Sequence, residues 1–277
     1  MKNVRNNINY RNLKKIATTL RRSVIEMLYH ASSGHPGGSL SSADIITSLY
    51  FGGILRHYPQ DPYSKDRDVF ILSVGHYCPI LYAVLAYSGY FPVSELNTLR
   101  KYGSRLLGHP KGNVLPGIEH SSGSLGQGIS VALGVAKAFK MDGRSNRVYC
   151  LMSDGEQEEG QVWEAALFAS HHKLDNLCAI IDVNKIQIDG YTNEVCNIEP
   201  IVDKYASFNW NTIRIDGHDF KQIFNAFGEY KKTKLKPTVI IADTVAGKGV
   251  SYLENTVQAH GKKIGRKEYE VARRELI

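Results

Sequence analysis

An α/β fold, with a mostly parallel central sheet and helices on both of its faces, follows from three features of this sequence. Two short apolar runs, residues 147–152 and 177–183, have the length and near-continuous hydrophobicity of buried parallel strands. Between them, residues 160–173 carry helical spacing, so the three segments form one β-α-β crossover. Elsewhere helical and strand-like patterns alternate, with no repeat, linker or low-complexity segment to divide the chain. At 277 residues, 43% hydrophobic and 22% charged, there is enough apolar side chain for one large α/β domain or two small ones, and the missing linker favours a single domain over residues 1–277.

The elements follow in order. Residues 12–32 place Leu13, Ile16, Leu20, Val24, Met27 and Leu28 on one helical face, and a second helix is expected at 41–54. The glycine-rich loop that bears His35 then joins two helices. A strand at 67–73, a helix at 77–88 beginning beside His76, and a short helix at 93–102 come next. Residues 103–123 form the longest irregular stretch, carrying His109 and His120. Long structureless loops inside compact domains are usually functional. A helix at 125–141 leads into the crossover unit, after which residues 186–190 read as an extended tail. A helix at 200–207, a strand at 212–215, a helix at 220–230, a strand at 238–242 and a last helix at 267–275 complete the pattern.

Composition excludes several classes. The formal charge is +7, but the basic residues are scattered, with only small clusters such as Arg21-Arg22, Lys231-Lys232 and Lys262-Lys263. These read as solvated faces with a modest bias toward anionic substrates, not as a nucleic-acid surface. Cys78, Cys150, Cys178 and Cys196 lie far apart without a Cys-x-x-Cys pair, so neither a zinc ribbon nor a disulfide framework is indicated. Reduced thiols in the cytoplasm are the expectation. The N-terminus is Asn- and Arg-rich without an apolar leader core, and no stretch approaches eighteen apolar residues, which argues against secretion and membrane spanning.

Chemistry concentrates after the two central runs. Asp154, inside Ser153-Asp154-Gly155-Glu156, and Asn184, inside Asp182-Val183-Asn184-Lys185, stand thirty residues apart. A right-handed crossover delivers both to the carboxyl edge of the sheet, where ligands of open α/β sheets sit. A carboxylate, an amide oxygen and a backbone carbonyl, for which Ile186 is the candidate, suit Mg2+ (or Ca2+ or Mn2+) carrying phosphate oxygens. Gly155, without a Cβ, lets its N–H approach a phosphate near a helix start. Of the ten histidines, His35, His76, His109 and His260 sit beside glycine or proline in loops, accessible for proton traffic or for donating to oxygens. No His-x-x-x-His spacing supports a transition-metal site.

These residues resemble the thiamine diphosphate enzymes, whose motif is Gly-Asp-Gly followed at a distance by Asn; Ser153 replaces the first glycine here. Within that superfamily the chain is similar to transketolase through Ser33-Gly34-His35-Pro36-Gly37-Gly38, Val74-Gly75-His76, Gly108-His109-Pro110, Gly123-Ser124-Leu125-Gly126-Gln127-Gly128 and Ile215-Asp216-Gly217-His218-Asp219. The run Thr244-Val245-Ala246-Gly247-Lys248-Gly249 adds a sixth motif, with Ala246 where lysine is frequent. The resemblance implies the thiamine diphosphate-binding fold in its diphosphate-binding form. By the same resemblance His76 binds the diphosphate, and His35, His109 and His260 face the reacting carbon. Gly123 contacts the aminopyrimidine, Leu125 and Ile188 wedge the cofactor into its bent form, and Glu159 reaches across a subunit interface. Glu164 matches the Glu-Ala of the crossover helix, whereas Glu156 and Glu158 read as acidic residues favouring a helix dipole.

Single-chain transketolases carry a pyrimidine-binding and a C-terminal domain that have no counterpart here. The resemblance therefore implies a split enzyme, in which a C-terminal transketolase subunit supplies the pyrimidine-binding domain and the two form a heterotetramer. Its substrates are small sugars: a ketose donor gives a two-carbon ketol unit to an aldose. Two other readings stay open at this level. One is a subunit of another thiamine enzyme, such as the α subunit of a 2-oxo acid dehydrogenase or a deoxyxylulose phosphate synthase; the other is a non-catalytic cofactor-binding relative.

Overall fold

The computed structural model describes residues 8–277, so the opening of the Asn- and Arg-rich N-terminus lies outside the described residues. The described strands are β1 (Val69–Leu72), β2 (Val148–Ser153), β3 (Leu177–Val183), β4 (Ile186–Gln187), β5 (Gly190–Tyr191), β6 (Asn211–Asp216) and β7 (Thr238–Asp243). Five of them form one sheet in the order β1-β2-β3-β7-β6, with every neighbouring pair parallel. The antiparallel component is confined to the separate β4–β5 hairpin. The described helices are α1 (Tyr10–Ala31), α2 (Pro36–Ser41), α3 (Ala43–Phe51), α4 (Cys78–Tyr87), α5 (Gln127–Met141), α6 (Gly160–His171), α7 (Thr192–Val195), α8 (Ile201–Ser207), α9 (Phe220–Lys232) and α10 (Arg266–Glu275).

Strand side chains alternate between two cores, as the two-residue period of a strand requires. Phe70, Leu72, Tyr149, Leu151, Ile180 and Ile240 enter one core with α1, α3, α4 and α9. Val69, Ile71, Val148, Met152, Ile181 and Ile241 enter the other with α5, α6 and α8. Both faces are covered, which is why β1, β2, β3 and β7 are buried almost throughout, whereas the edge strand β6 carries Asn211, Arg214 and Asp216. No described helix is long and apolar enough to cross a membrane.

Several boundaries differ from the sequence reading for identifiable reasons. The helix expected at 41–54 is α3, Ala43–Phe51, and an additional short helix, α2, starts at Pro36 inside the glycine-rich loop, with His35 as its N-cap residue. Proline suits a first helical position, but glycine is a poor helix former, so composition concealed this turn. Gly38 is there for space: a Cβ would fall 1.7 Å from the Tyr77 ring. The short helix expected at 93–102 is a 3-10 turn over Val93–Thr98. The tail at 186–190 folds back as the β4–β5 hairpin.

Glu156 also departs from expectation. It is fully buried in a 3-10 turn (Gly155–Glu158), not poised on a helix dipole, whereas Glu158 is exposed. Its carboxylate accepts from the Gly126 N–H at 2.8 Å, the Ser153 N–H at 3.2 Å and the Ser73 hydroxyl. The ends of β1 and β2 and the start of α5 are thereby pinned together. Truncation strands those donors, and each buried unpaired group costs about 1–3 kcal/mol. Glu156→Ala is expected to lose roughly 3 kcal/mol of stability by urea unfolding; a midpoint within error of the parent would show that the carboxylate is dispensable.

Candidate active site

The tips of β2 and β3 stand side by side because Ser153 pairs in register with Asp182. The residues just beyond them, Asp154 and Asn184, are both buried. The Asp154 carboxylate accepts from the Lys185 N–H at 2.5 Å and the Gly155 N–H at 2.9 Å, so it is turned onto the segment that follows β3. Gly155 thus gives its N–H to the neighbouring carboxylate, where the sequence alone leaves that donor open for a phosphate. Burial, then the nearby Asp182, pushes the Asp154 carboxyl up to about 7. Asn184 donates to the Tyr77 hydroxyl at 2.7 Å and to Asp182 at 2.8 Å, while its Oδ1 accepts from the Ile186 N–H at 3.1 Å.

Asp182 has no role that its sequence context reveals. It is fully buried and accepts from Thr244 Oγ1 (2.7 Å), Ser41 Oγ (2.7 Å), Asn184 Nδ2 (2.8 Å) and the Tyr77 hydroxyl (2.9 Å). Despite these donors, burial raises its pKa. Tyr77 is likewise a residue that sequence reasoning missed; the signal was its position directly after His76.

Four histidines from distant segments meet beside these tips. The His35 ring centroid lies 5.1 Å from that of His76, 5.6 Å from His260 and 6.1 Å from His109, and His76 lies 5.0 Å from His260. All four imidazoles are pushed below their ordinary pKa, chiefly by burial: His35 to about 4, with His260, Arg100 and His109 adding to the effect, and His76 well below the usual range. They are therefore neutral near pH 7, each with one donor and one acceptor nitrogen. His35 Nδ1 is buried without a hydrogen-bond partner. His120, which shares the long 103–123 segment with His109, stands outside these ring contacts.

Asp154, Gly155, Ile186, Ile188, His76, His260, Gly123, Leu125 and Glu159 all line one cleft of about 320 Å³. Ile188 is 70% exposed, an apolar side chain held out at the cleft wall. A Cβ on Gly123 would come 3.7 Å from the His109 ring, so the glycine backbone lies open beside that imidazole. Glu164 points elsewhere, on the exposed side of α6 with Leu167 and Phe168.

The donor set fits a diphosphate–cation pair on these observations. Among the described residues no three His, Cys, Asp or Glu side chains gather for a metal ion. A cation here must draw on one carboxylate, an amide oxygen and a carbonyl, the mixture that hard divalent ions favour. A Cβ on Gly155 would lie 3.2 Å from Gln187 Oε1, which is itself buried without a partner. The pocket floor therefore keeps space and unmet polarity together.

Parallel strands with a polar cleft at their carboxyl edge define an α/β protein of the cofactor-binding class. A family model described as transketolase, thiamine diphosphate binding domain, matches residues 12–276, and the chain belongs to that family. It is 41% identical over 264 residues to the 6-deoxy-6-sulfo-D-fructose transketolase subunit SqwG of Clostridium sp. (strain MSTE9), covering 95% of this chain and 96% of the relative. It is 41% identical over 256 residues to an apulose-4-phosphate transketolase subunit of Phocaeicola vulgatus, covering 92% and 90%. Among solved structures, transketolase from Campylobacter jejuni superposes with a TM-score of 0.90 at 35% identity, over 97% of this chain and 43% of that one.

The histidine cluster predicts a pH effect on stability. His35 has a folded pKa below the ordinary 6.5, so as pH falls from about 6.5 toward 4 the unfolded chain takes up the proton first and stability is lost. Asp154, with its raised pKa, acts in the opposite sense, so the comparison must isolate the imidazole. Between about pH 7 and pH 5 the urea midpoint of the parent should fall further than that of His35→Gln. Equal slopes would mean that the His35 environment does not disfavour its protonation.

Proposed function

We propose that this chain is the thiamine diphosphate- and cation-binding subunit of a two-subunit transketolase, which moves a two-carbon ketol unit from a ketose to an aldose. The observation that carries the reading is one cleft lined by Asp154, Ile186, His76 and His260, with Asn184 on the neighbouring strand tip, the His35 ring 5.1 Å from that of His76 and the His109 ring 6.1 Å from that of His35. Two relatives matched over most of their own length are named as transketolase subunits, which supports a separate partner bearing the pyrimidine-binding domain. Those names favour transketolase over a 2-oxo acid dehydrogenase or deoxyxylulose phosphate synthase reading. They also put a phosphate or a sulfonate on the sugars of those relatives. A heterotetramer and a cytoplasmic setting are part of the proposal, the latter supported by four cysteines that form no disulfide.

In this reading Asp154, Asn184 and the Ile186 carbonyl hold Mg2+, and His76 receives the diphosphate beside Gly155, whose missing Cβ leaves room there while its N–H stays on Asp154. Gly123 meets the aminopyrimidine, Leu125 and Ile188 form the apolar wedge, and Glu159, exposed at the rim of the cleft, faces the partner. When bound, thiamine diphosphate supplies an electron sink for cleaving the bond beside a ketose carbonyl. The chain's own work is placement and proton handling. His35, His109 and His260, neutral at physiological pH, can accept a proton from a sugar hydroxyl at one nitrogen and donate to an oxygen at the other.

Two outcomes test this. In the reconstituted complex Asp154→Ala should weaken Mg2+-dependent thiamine diphosphate binding at least 100-fold, about 2.7 kcal/mol, by calorimetry. Undiminished affinity would remove Asp154 from the site. The purified chain without its partner should show no ketol transfer; measurable turnover by this polypeptide on its own would contradict the two-subunit reading.

A further inference from the structure

Tyr77 ends the 3-10 turn Gly75–Tyr77 that follows β1, directly after His76. Its ring is buried, held in the gap that Gly38 leaves by lacking a Cβ. Burying a phenol is costly unless its hydroxyl finds partners, and here the partners are Asp182 and Asn184. The hydroxyl donates to Asp182 Oδ2 at 2.9 Å and accepts from Asn184 Nδ2 at 2.7 Å, while the same Nδ2 donates to Asp182 Oδ2 at 2.8 Å. Three side chains thus close a triangle of hydrogen bonds.

The triangle settles which way round the Asn184 amide lies. A primary amide carries two N–H donors at one end and an oxygen at the other, and the two ends are nearly equal in shape, so only polarity chooses between them. Both Nδ2 hydrogens are taken, one by the phenol oxygen and one by the carboxylate. Oδ1 is left on the other side, where it accepts from the N–H of Ile186, a residue that lines the cleft, at 3.1 Å. Turning the amide over would set its oxygen against the Asp182 carboxylate and its N–H donors against the Ile186 N–H. Both contacts would be repulsive. Of the two lone pairs on Oδ1, one goes to Ile186 and the other meets no donor among the described residues. A cation can use that lone pair; a reversed amide would offer it hydrogens.

We propose that Tyr77, together with Asp182, is a positioning residue for the cation: the pair holds the Asn184 amide with its oxygen in the coordinating sense and so sets the affinity for Mg2+. The inference rests on the reading of Asn184 as a cation ligand and adds what keeps that ligand the right way round. It also ties the cation to the turn that carries His76, since Tyr77 is the next residue in the chain.

The test uses the complex with its partner. Thiamine diphosphate binding, followed by calorimetry over a series of Mg2+ concentrations, gives the Mg2+ requirement of each variant. Tyr77→Phe keeps the ring and removes only the hydroxyl, so its half-saturating Mg2+ concentration should rise about fivefold, the equivalent of one lost hydrogen bond. Excess Mg2+ should then return the cofactor affinity to that of the parent, which a pocket that had merely loosened would not allow. Asp182→Asn, which keeps the shape of the other corner but weakens its pull on Nδ2, should shift the requirement in the same direction and carries the test if Tyr77→Phe does not assemble. An unchanged Mg2+ requirement in these variants, or a loss that excess Mg2+ does not recover, would overturn the proposal. Asn184→Ala tells this failure from failure of the cation reading. A parental Mg2+ requirement in Asn184→Ala would remove the ligand itself, whereas a raised one beside an unaltered Tyr77→Phe counts against the positioning role alone.

Discussion

One buried carboxylate organises the carboxyl edge of this sheet. Asp182 lies near the end of the central strand β3 with no exposure and collects donors from β3's own exit, from the segment after β7, from α2 and from the turn after β1. A buried charge without partners is very costly, and a carboxylate loses its proton there only if hydrogen bonds replace water. Four donors converge for that reason. In doing so they fix Asn184, Thr244, Ser41 and Tyr77 relative to one another, and with them the loops that carry His35 and His76. The cleft is assembled by satisfying Asp182; the residues that line it inherit their places.

The second consequence is electrostatic. Burial raises the carboxyls of Asp154, Glu156 and Asp182 and depresses all four clustered imidazoles. Both trends disfavour the charged forms of these groups. A diphosphate–cation pair would meet donors that are already oriented. Arg100, whose guanidinium disfavours protonation of His35 and His109, meets no carboxylate among the described residues, whereas Arg105 pairs with Glu95.

Much of this is legible in the chain. The β2–α6–β3 crossover can be read from two apolar runs and one helical stretch, and that reading alone puts Asp154 and Asn184 on adjacent strand tips. The long glycine-rich segment at 103–123 is irregular, as expected of a stretch through which no period runs. What escapes the sequence is whatever depends on contacts between distant segments. Glu156 looks like an N-terminal helix residue until Gly126 and Ser73 arrive from elsewhere. Pro36-Gly37-Gly38 reads as a loop because the reason for its glycine, the Tyr77 ring, lies far along the chain. Asp182 is indistinguishable from an ordinary strand-end acid until its donors are seen.

The walls of the cleft also differ in kind, and the difference bears on how a site divided between two proteins can work. The strand tips and the Asp182 network are buried and cross-linked by short hydrogen bonds, the qualities a cofactor anchor needs. The opposite rim, with Gly123, Glu159 and Ile188, is exposed. A large aliphatic side chain left in water forgoes about 25 cal/mol for each Å² it could bury, so Ile188 gains most when something apolar covers it. A ligand or a partner subunit can supply that cover. In the proposed division of labour, rigidity is invested where the diphosphate sits, and openness is kept where a second protein must complete the pocket.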